Sequence, residues 1–200
     1  MDNIVLQAMM RWPNVPSVYG WLQLDRRGRW LIKDEPITNP TVNAFINRNY
    51  LSNEAGQWYF QNGPQRVFVT LEHTPYVHRI WRHADNYLIG ETHTGLPIQH
   101  PSSCWLDDSG CLLLDCEHGI GCVETQSLAV LASDFSDLEG TALSDSAVEL
   151  LLEGRSTAIQ SSRLRWGADL LPLGFLSFNE VPEHFRFDRS PQPPPGQPPC

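Results

Sequence analysis

The 200-residue sequence has no run of about 18 apolar residues, so it offers no segment long enough to cross a bilayer as a helix. Its opening, Met1-Asp2-Asn3, has neither a basic n-region nor a signal-like apolar stretch, and a cytoplasmic location is the expectation. Positive charge is scarce: 14 Lys and Arg stand against 23 Asp and Glu, a formal charge of −9 that repels phosphate backbones and anionic lipid. The densest basic group, Arg26-Arg27-Gly28-Arg29, is too short to reverse that balance. Nucleic acid and membrane are therefore excluded as expected partners, and a small molecule or another protein remains.

Catalytic signatures are missing as well. There is no G-x-S-x-G elbow, no H-E-x-x-H and no phosphate-cradling loop, since Gly119-Ile120-Gly121 runs into Cys122 without the required Lys-Ser/Thr. The three Glu-His dipeptides, at 72–73, 117–118 and 183–184, place neighbours on opposite faces of a strand and make no dyad. Five cysteines is an odd number, and four of them (104, 111, 116 and 122) fall in one segment, which reads as reduced, buried thiols rather than a secreted framework. Cys111, Cys116, His118 and Cys122 supply enough soft ligands for a weak alternative metal site. Their spacing, however, matches no C-x2–4-C knuckle. The competing functional reading is a metal- or thiol-dependent enzyme centred on Cys104–Cys122; the overall reading leans away from an enzyme and expects no cofactor.

What is present is a core and a hairpin grammar. A 41% hydrophobic, 18% charged composition supports a packed globular protein. An acid or Asn, then Gly, then an aromatic or Leu run recurs about every 27 residues: Asp25 to Gly28 before Trp30, Asn53 to Gly56 before Trp58, Asp107 to Gly110 before Leu112, and a weaker copy at 84–89. This spacing predicts an internally duplicated, meandering β structure. Helices are predicted over about 3–11, stopped by Pro13; after Asn39-Pro40, with Val42, Phe45, Ile46 and Tyr50 on one face; over about 126–135, a segment that fits a buried strand equally well; and over 145–153, capped by Ser144 and ended by Gly154. Val67, Val69 and Leu71 alternate with Phe68, Thr70 and Glu72 as in a strand with one buried face. Further strands are expected near 76–82, 87–91, 111–115, 120–124, 157–164 and 173–178. The fold class is thus α+β, β-rich antiparallel meanders in two related halves with packed helices: an N-terminal half over 1–83, a C-terminal β-rich half over 84–188, and a disordered Pro-rich tail over 189–200.

The stretch from Gly20 to Val77 carries Leu24-Asp25, Gly28-Arg29-Trp30, Pro36-Ile37, Phe45-Ile46, Gly56-Gln57-Trp58-Tyr59-Phe60 and the run from Val67 to Tyr76. It resembles an uncharacterised group of bacterial proteins known as domains of unknown function. The resemblance implies a duplicated α+β fold whose C-terminal half is pleckstrin-homology-like, a ligand groove between the halves, and a role in signalling.

The polar segment Gln61-Asn62-Gly63-Pro64-Gln65-Arg66 is a strong turn signal between two apolar strands. As a binding site, it offers Asn62, Gln65 and Arg66 at the rim of a groove, with Arg66 as a bidentate fork and Arg79 as a further candidate. Trp21, Trp30, Trp58 and Trp81 are expected in cross-strand packing, with room for one of them to line a cleft. Ligand identity and oligomeric state are not set by these patterns.

Overall fold

The computed structural model describes residues 1–13, 15–153 and 159–196. The chain forms two compact units, one of residues 1–75 together with the segment from 186 onward, the other of residues 76–185.

In the first unit, helix α1 (Asn3–Arg11) precedes two three-stranded meanders. These are β1 (Val18–Leu24), β2 (Trp30–Ile32) and β3 (Glu35–Pro36), then, after helix α2 (Pro40–Arg48), β4 (Tyr50–Ser52), β5 (Trp58–Asn62) and β6 (Gln65–Leu71). Each meander is antiparallel within itself, and the two join where β1 runs parallel to β6, giving the order β3-β2-β1-β6-β5-β4. Helix α2 starts where the sequence says it must. The Asn39 side chain accepts hydrogen bonds from the N–H groups of Thr41 and Val42, and Pro40 occupies the first turn, where its missing N–H costs nothing.

The second unit repeats this plan. Strands β7 (Tyr76–Arg82), β8 (Leu88–Thr92) and β9 (Pro97–Ile98) form one meander, β10 (Ser103–Asp107), β11 (Leu112–Cys116) and β12 (Gly119–Val123) the next, and the first strand of one again lies parallel to the last strand of the other, β7 to β12. Helix α3 (Thr125–Leu131), a 3-10 turn, β13 (Phe135–Ser136), helix α4 (Asp145–Leu152), a second 3-10 turn, β14 (Arg163–Trp166), β15 (Asp169–Leu176) and helix α5 (Val181–Phe185) follow. Strand β15 pairs parallel with β10, extending the sheet to nine strands in the order β13-β14-β15-β10-β11-β12-β7-β8-β9. The core of this unit gathers Ile80, Leu106, Leu112, Leu114, Val123, Leu131 and Phe135 with residues of α4. The fold is α+β with two related halves, its antiparallel meanders linked by parallel pairs.

The recurring sequence unit is one turn built several times. At Asp25, Asn53, Asp107 and Asp137 the side-chain Oδ1 accepts the N–H groups two and four residues ahead, and the Gly three residues ahead takes a positive φ of 72°, 73°, 76° and 82° in turn. In the weaker copy His83 Nδ1 accepts the Asp85 N–H and Asn86 takes the positive φ, 66°. The left-handed position explains why Gly, or once Asn, recurs there.

Three expectations shift. Phe68 is buried rather than exposed, because its ring stacks on Tyr19 at 4.5 Å on the second face of β6. Helix α3 ends at Leu131 and the chain tightens to 3-10 before β13. The strand expected over 157–164 begins only at Arg163, after a 3-10 turn at Ile159–Ser161; residues 157 and 158, like the Gly154 stop, lie outside the described residues. At the C-terminus, the Arg189 carbonyl accepts the Leu71 N–H, its side chain donates to the His73 carbonyl, and Pro191 is buried; the expected tail's residues 197–200 lie outside the described residues.

Candidate functional site

Helix α2 has nine residues and, at 1.5 Å per residue, spans only about 13 Å. It packs by Phe45 edge-on against Phe60 of β5 and by Asn47, whose side chain accepts the Trp30 Nε1–H at 2.7 Å. The short helix leaves part of that sheet face uncovered. The result is a cavity of about 400 Å³ within the first unit, a size typical of small-molecule sites.

Its wall comes from four strands, one helix and one link. Strand β1 supplies Val18, Trp21 and Leu22, β2 supplies Ile32, the β3–α2 link Ile37, α2 Val42 and Ile46, and β5 and β6 supply Phe60, Val67, Asn62 and Gln65. Trp21 and Leu22 are chain neighbours, which in a regular strand would face opposite ways. Both reach the cavity because β1 carries an irregularity: Val18 pairs with Val67 but Leu22 with Val69, and Gly20 between them has φ 72°. Trp21, Ile32 and Val42 are each 41–45% exposed, a cluster of large apolar side chains left open at the mouth. The Lys33 ammonium sits 4.0 Å from the Trp21 ring centroid.

Of the four residues expected at a groove rim, the structure brings two together. Asn62 and Gln65 face each other across the β5–β6 ladder and line the cavity, and Gln65 Nε2 donates to the Pro16 carbonyl. Arg66 pairs with Gln61 and points to the opposite sheet face, where its guanidinium lies 4.9 Å from the Tyr59 ring centroid and borders a second, more polar cavity of about 360 Å³. Arg79 belongs to the second unit and forms an ion pair with Glu124 at 3.6 Å. Apart from Trp21, one of the four tryptophans given room to line a cleft, the apolar wall residues were not singled out from the sequence as a site. They come from strands and a helix whose meeting depends on the parallel β1–β6 pairing, and their only signal was a surplus of apolar residues near turns.

The cysteine segment is arranged differently. Cys116 and Cys122 lie on opposite faces of the β11–β12 ladder, Cys111 turns its thiol to the Leu112 carbonyl, and His118 Nε2 lies 2.9 Å from the Pro97 carbonyl. Among the described residues no three His, Cys, Asp or Glu side chains are grouped as a metal ion would need. Burial pushes the Cys116 thiol up to about 11 and Cys104 to about 12, the reverse of what a nucleophilic thiolate requires. Among the described residues, no helix is long and apolar enough to cross a membrane.

A family model described as "Protein of unknown function (DUF2946)" matches residues 1–192. The chain belongs to this family. No curated protein matches it. Among solved structures, this family member is similar to a DUF1285 family protein from Silicibacter pomeroyi DSS-3, at TM-score 0.53 and 14% identity over 90% of this chain and 98% of the other. A DUF1285 family protein from Shewanella baltica OS155 matches 54% of this chain and 86% of its own, at TM-score 0.41 and 14% identity. At such identity the first likeness is one of fold.

Proposed function

We propose that this chain is a non-catalytic ligand-binding module, of the kind used in bacterial signalling, and that its first unit takes a small, largely apolar molecule into the cavity beside α2. One observation carries the reading: a preformed apolar cavity of about 400 Å³ whose lining includes the two convergent amide side chains Asn62 and Gln65. Apolar walls supply affinity by removing water from the ligand, and a few placed polar groups fix its orientation. The amides cannot act as acids or bases, and burial holds the Cys104 and Cys116 thiols protonated, so binding rather than chemistry is what these groups support.

A thermal-shift screen of uncharged apolar metabolites tests it. A ligand at a hundred times its dissociation constant stabilises the folded state by about 2.7 kcal/mol, so the melting temperature should climb with ligand concentration. Val42→Trp, a change at a half-exposed helix position at the mouth, should fill the entrance and abolish the shift while leaving the unliganded melting temperature within a degree or two. A shift that persists in Val42→Trp would place binding elsewhere.

A further inference from the structure

We infer that the ligand is an elongated, uncharged amphiphile: an apolar body with a single terminal hydroxyl or amide group. The inference rests on the binding role just proposed and names the chemical class that the cavity selects.

Length comes from the sheet. Ile32 on β2 and Asn62 on β5 stand at opposite ends of the cavity, and the strand order β2-β1-β6-β5 separates them by three strand spacings, about 14 Å. A volume of about 400 Å³ drawn out over that distance leaves a narrow cross-section. The cavity is a trough running across the strands, floored by Leu22, Phe60 and Val67, and it fits a chain or a flat, slender ring system better than a compact one.

Hydrogen-bonding capacity is concentrated at one end. Asn62 and Gln65 sit together at the β5–β6 turn and are the only lining side chains among the described residues that can both accept and donate, the Trp21 indole being a donor alone; none of the lining side chains is ionisable. Gln65 has one amide N–H committed to the Pro16 carbonyl, which fixes the side chain and leaves its oxygen and the Asn62 amide to meet a ligand group that both donates and accepts. A hydroxyl or primary amide does both. A carboxylate only accepts, and here it would give up its hydration with no cation to replace it. The nearest Arg in sequence, Arg66, is held on the other sheet face against Tyr59. Lys33 lies at the far end of the trough over Trp21, with Asp34 beside it in the same turn, so a charged head could meet it only by reversing the ligand.

The test uses an uncharged environment-sensitive dye, Nile red, displaced by straight-chain probes of eight to fourteen carbons: alcohols, primary amides, carboxylates and alkylammonium ions, below their aggregation concentrations and at pH 8. Alcohols and amides should displace the dye at least tenfold more tightly than carboxylates or ammonium ions of equal length, with an optimum length within the series. Asn62→Ala with Gln65→Ala should weaken alcohol and amide binding about five- to tenfold and leave the carboxylate little changed. If carboxylates bind most tightly and Lys33→Ala removes that preference, or if ammonium ions win, the neutral-amphiphile assignment is overturned while the binding role stands. If neither dye nor any probe binds, or binding is indifferent to Val42→Trp, the binding role itself fails.

Discussion

His78 is fully buried in the second unit, with its ring over Gly121; a Cβ at that glycine would lie 2.3 Å from Nε2, so only the absence of a side chain admits the imidazole. The same ring nitrogen lies 3.9 Å from Cys116 Sγ. Desolvation, with lesser repulsion from His118, holds His78 down to about 3, and desolvation with His78 and Arg79 does the same for His93. Both imidazoles therefore stay neutral in the folded state while the unfolded chain protonates them near 6.5. Folding stability is fully expressed above that pH and falls as pH drops toward 3, by up to about 1.4 kcal/mol per pH unit from each ring. Urea unfolding at pH 7.5, 6.0 and 5.0, a range in which most carboxylates remain ionised, should show this decline; a flat profile would mean that the two rings are solvated. The neighbouring thiols give a second expectation. Cys104, Cys111, Cys116 and Cys122 are buried thiols, so iodoacetamide at pH 8 should leave all four unmodified in native protein and label them only in denaturant. Rapid native labelling of Cys116 would revive a thiol chemistry for this segment.

The turn that ends in a left-handed Gly is where sequence and structure agree most closely, because its signal is local: an Asx side chain, three residues, and a position that only Gly or Asn occupies cheaply. Helix starts were legible for the same reason, since Asn39 and Ser144 cap by bonding to N–H groups two or three residues away. The parallel β1–β6, β7–β12 and β10–β15 pairs were not, because strands far apart in sequence leave no short-range mark. Helix α5, at five residues, is too short to show a period. Copies of the turn also differ in what surrounds them. A Cβ on Gly110 meets nothing within 4 Å, whereas one on Gly56 would lie 2.3 Å from the Arg186 carbonyl oxygen, where the C-terminal segment returns and the Asp188 N–H bonds to the Gly56 carbonyl. Gly110→Ala should therefore cost only the left-handed strain, about 1–3 kcal/mol, and Gly110→Asn should recover most of it. Gly56→Ala should cost clearly more and loosen residues 186–192, seen as faster amide exchange there. Equal destabilisation by the two alanines would separate the C-terminal segment from this turn.

At the scale of the whole chain, two units share one wiring scheme, a pair of meanders joined by their first and last strands, and differ in what the scheme encloses. The second unit closes its sheet with α3, α4 and a dense apolar core. The first covers one sheet face with a helix too short for it, and the remainder of that face is the cavity. Asn62 and Gln65 share the cavity lining because they face each other across the β5–β6 ladder, whereas a strand sends neighbours to opposite faces, and that separates Arg66 from them. The apolar wall was hidden because its residues converge only after the sheet has formed. Methyl-resolved NMR titration with 1-dodecanol tests the central claim most directly. The account predicts saturable shifts of the Val18, Leu22, Ile32, Ile37, Val42 and Val67 methyls with those of Ile80, Leu114 and Val123 unmoved; shifts confined to the second unit, or none that saturate, would contradict it.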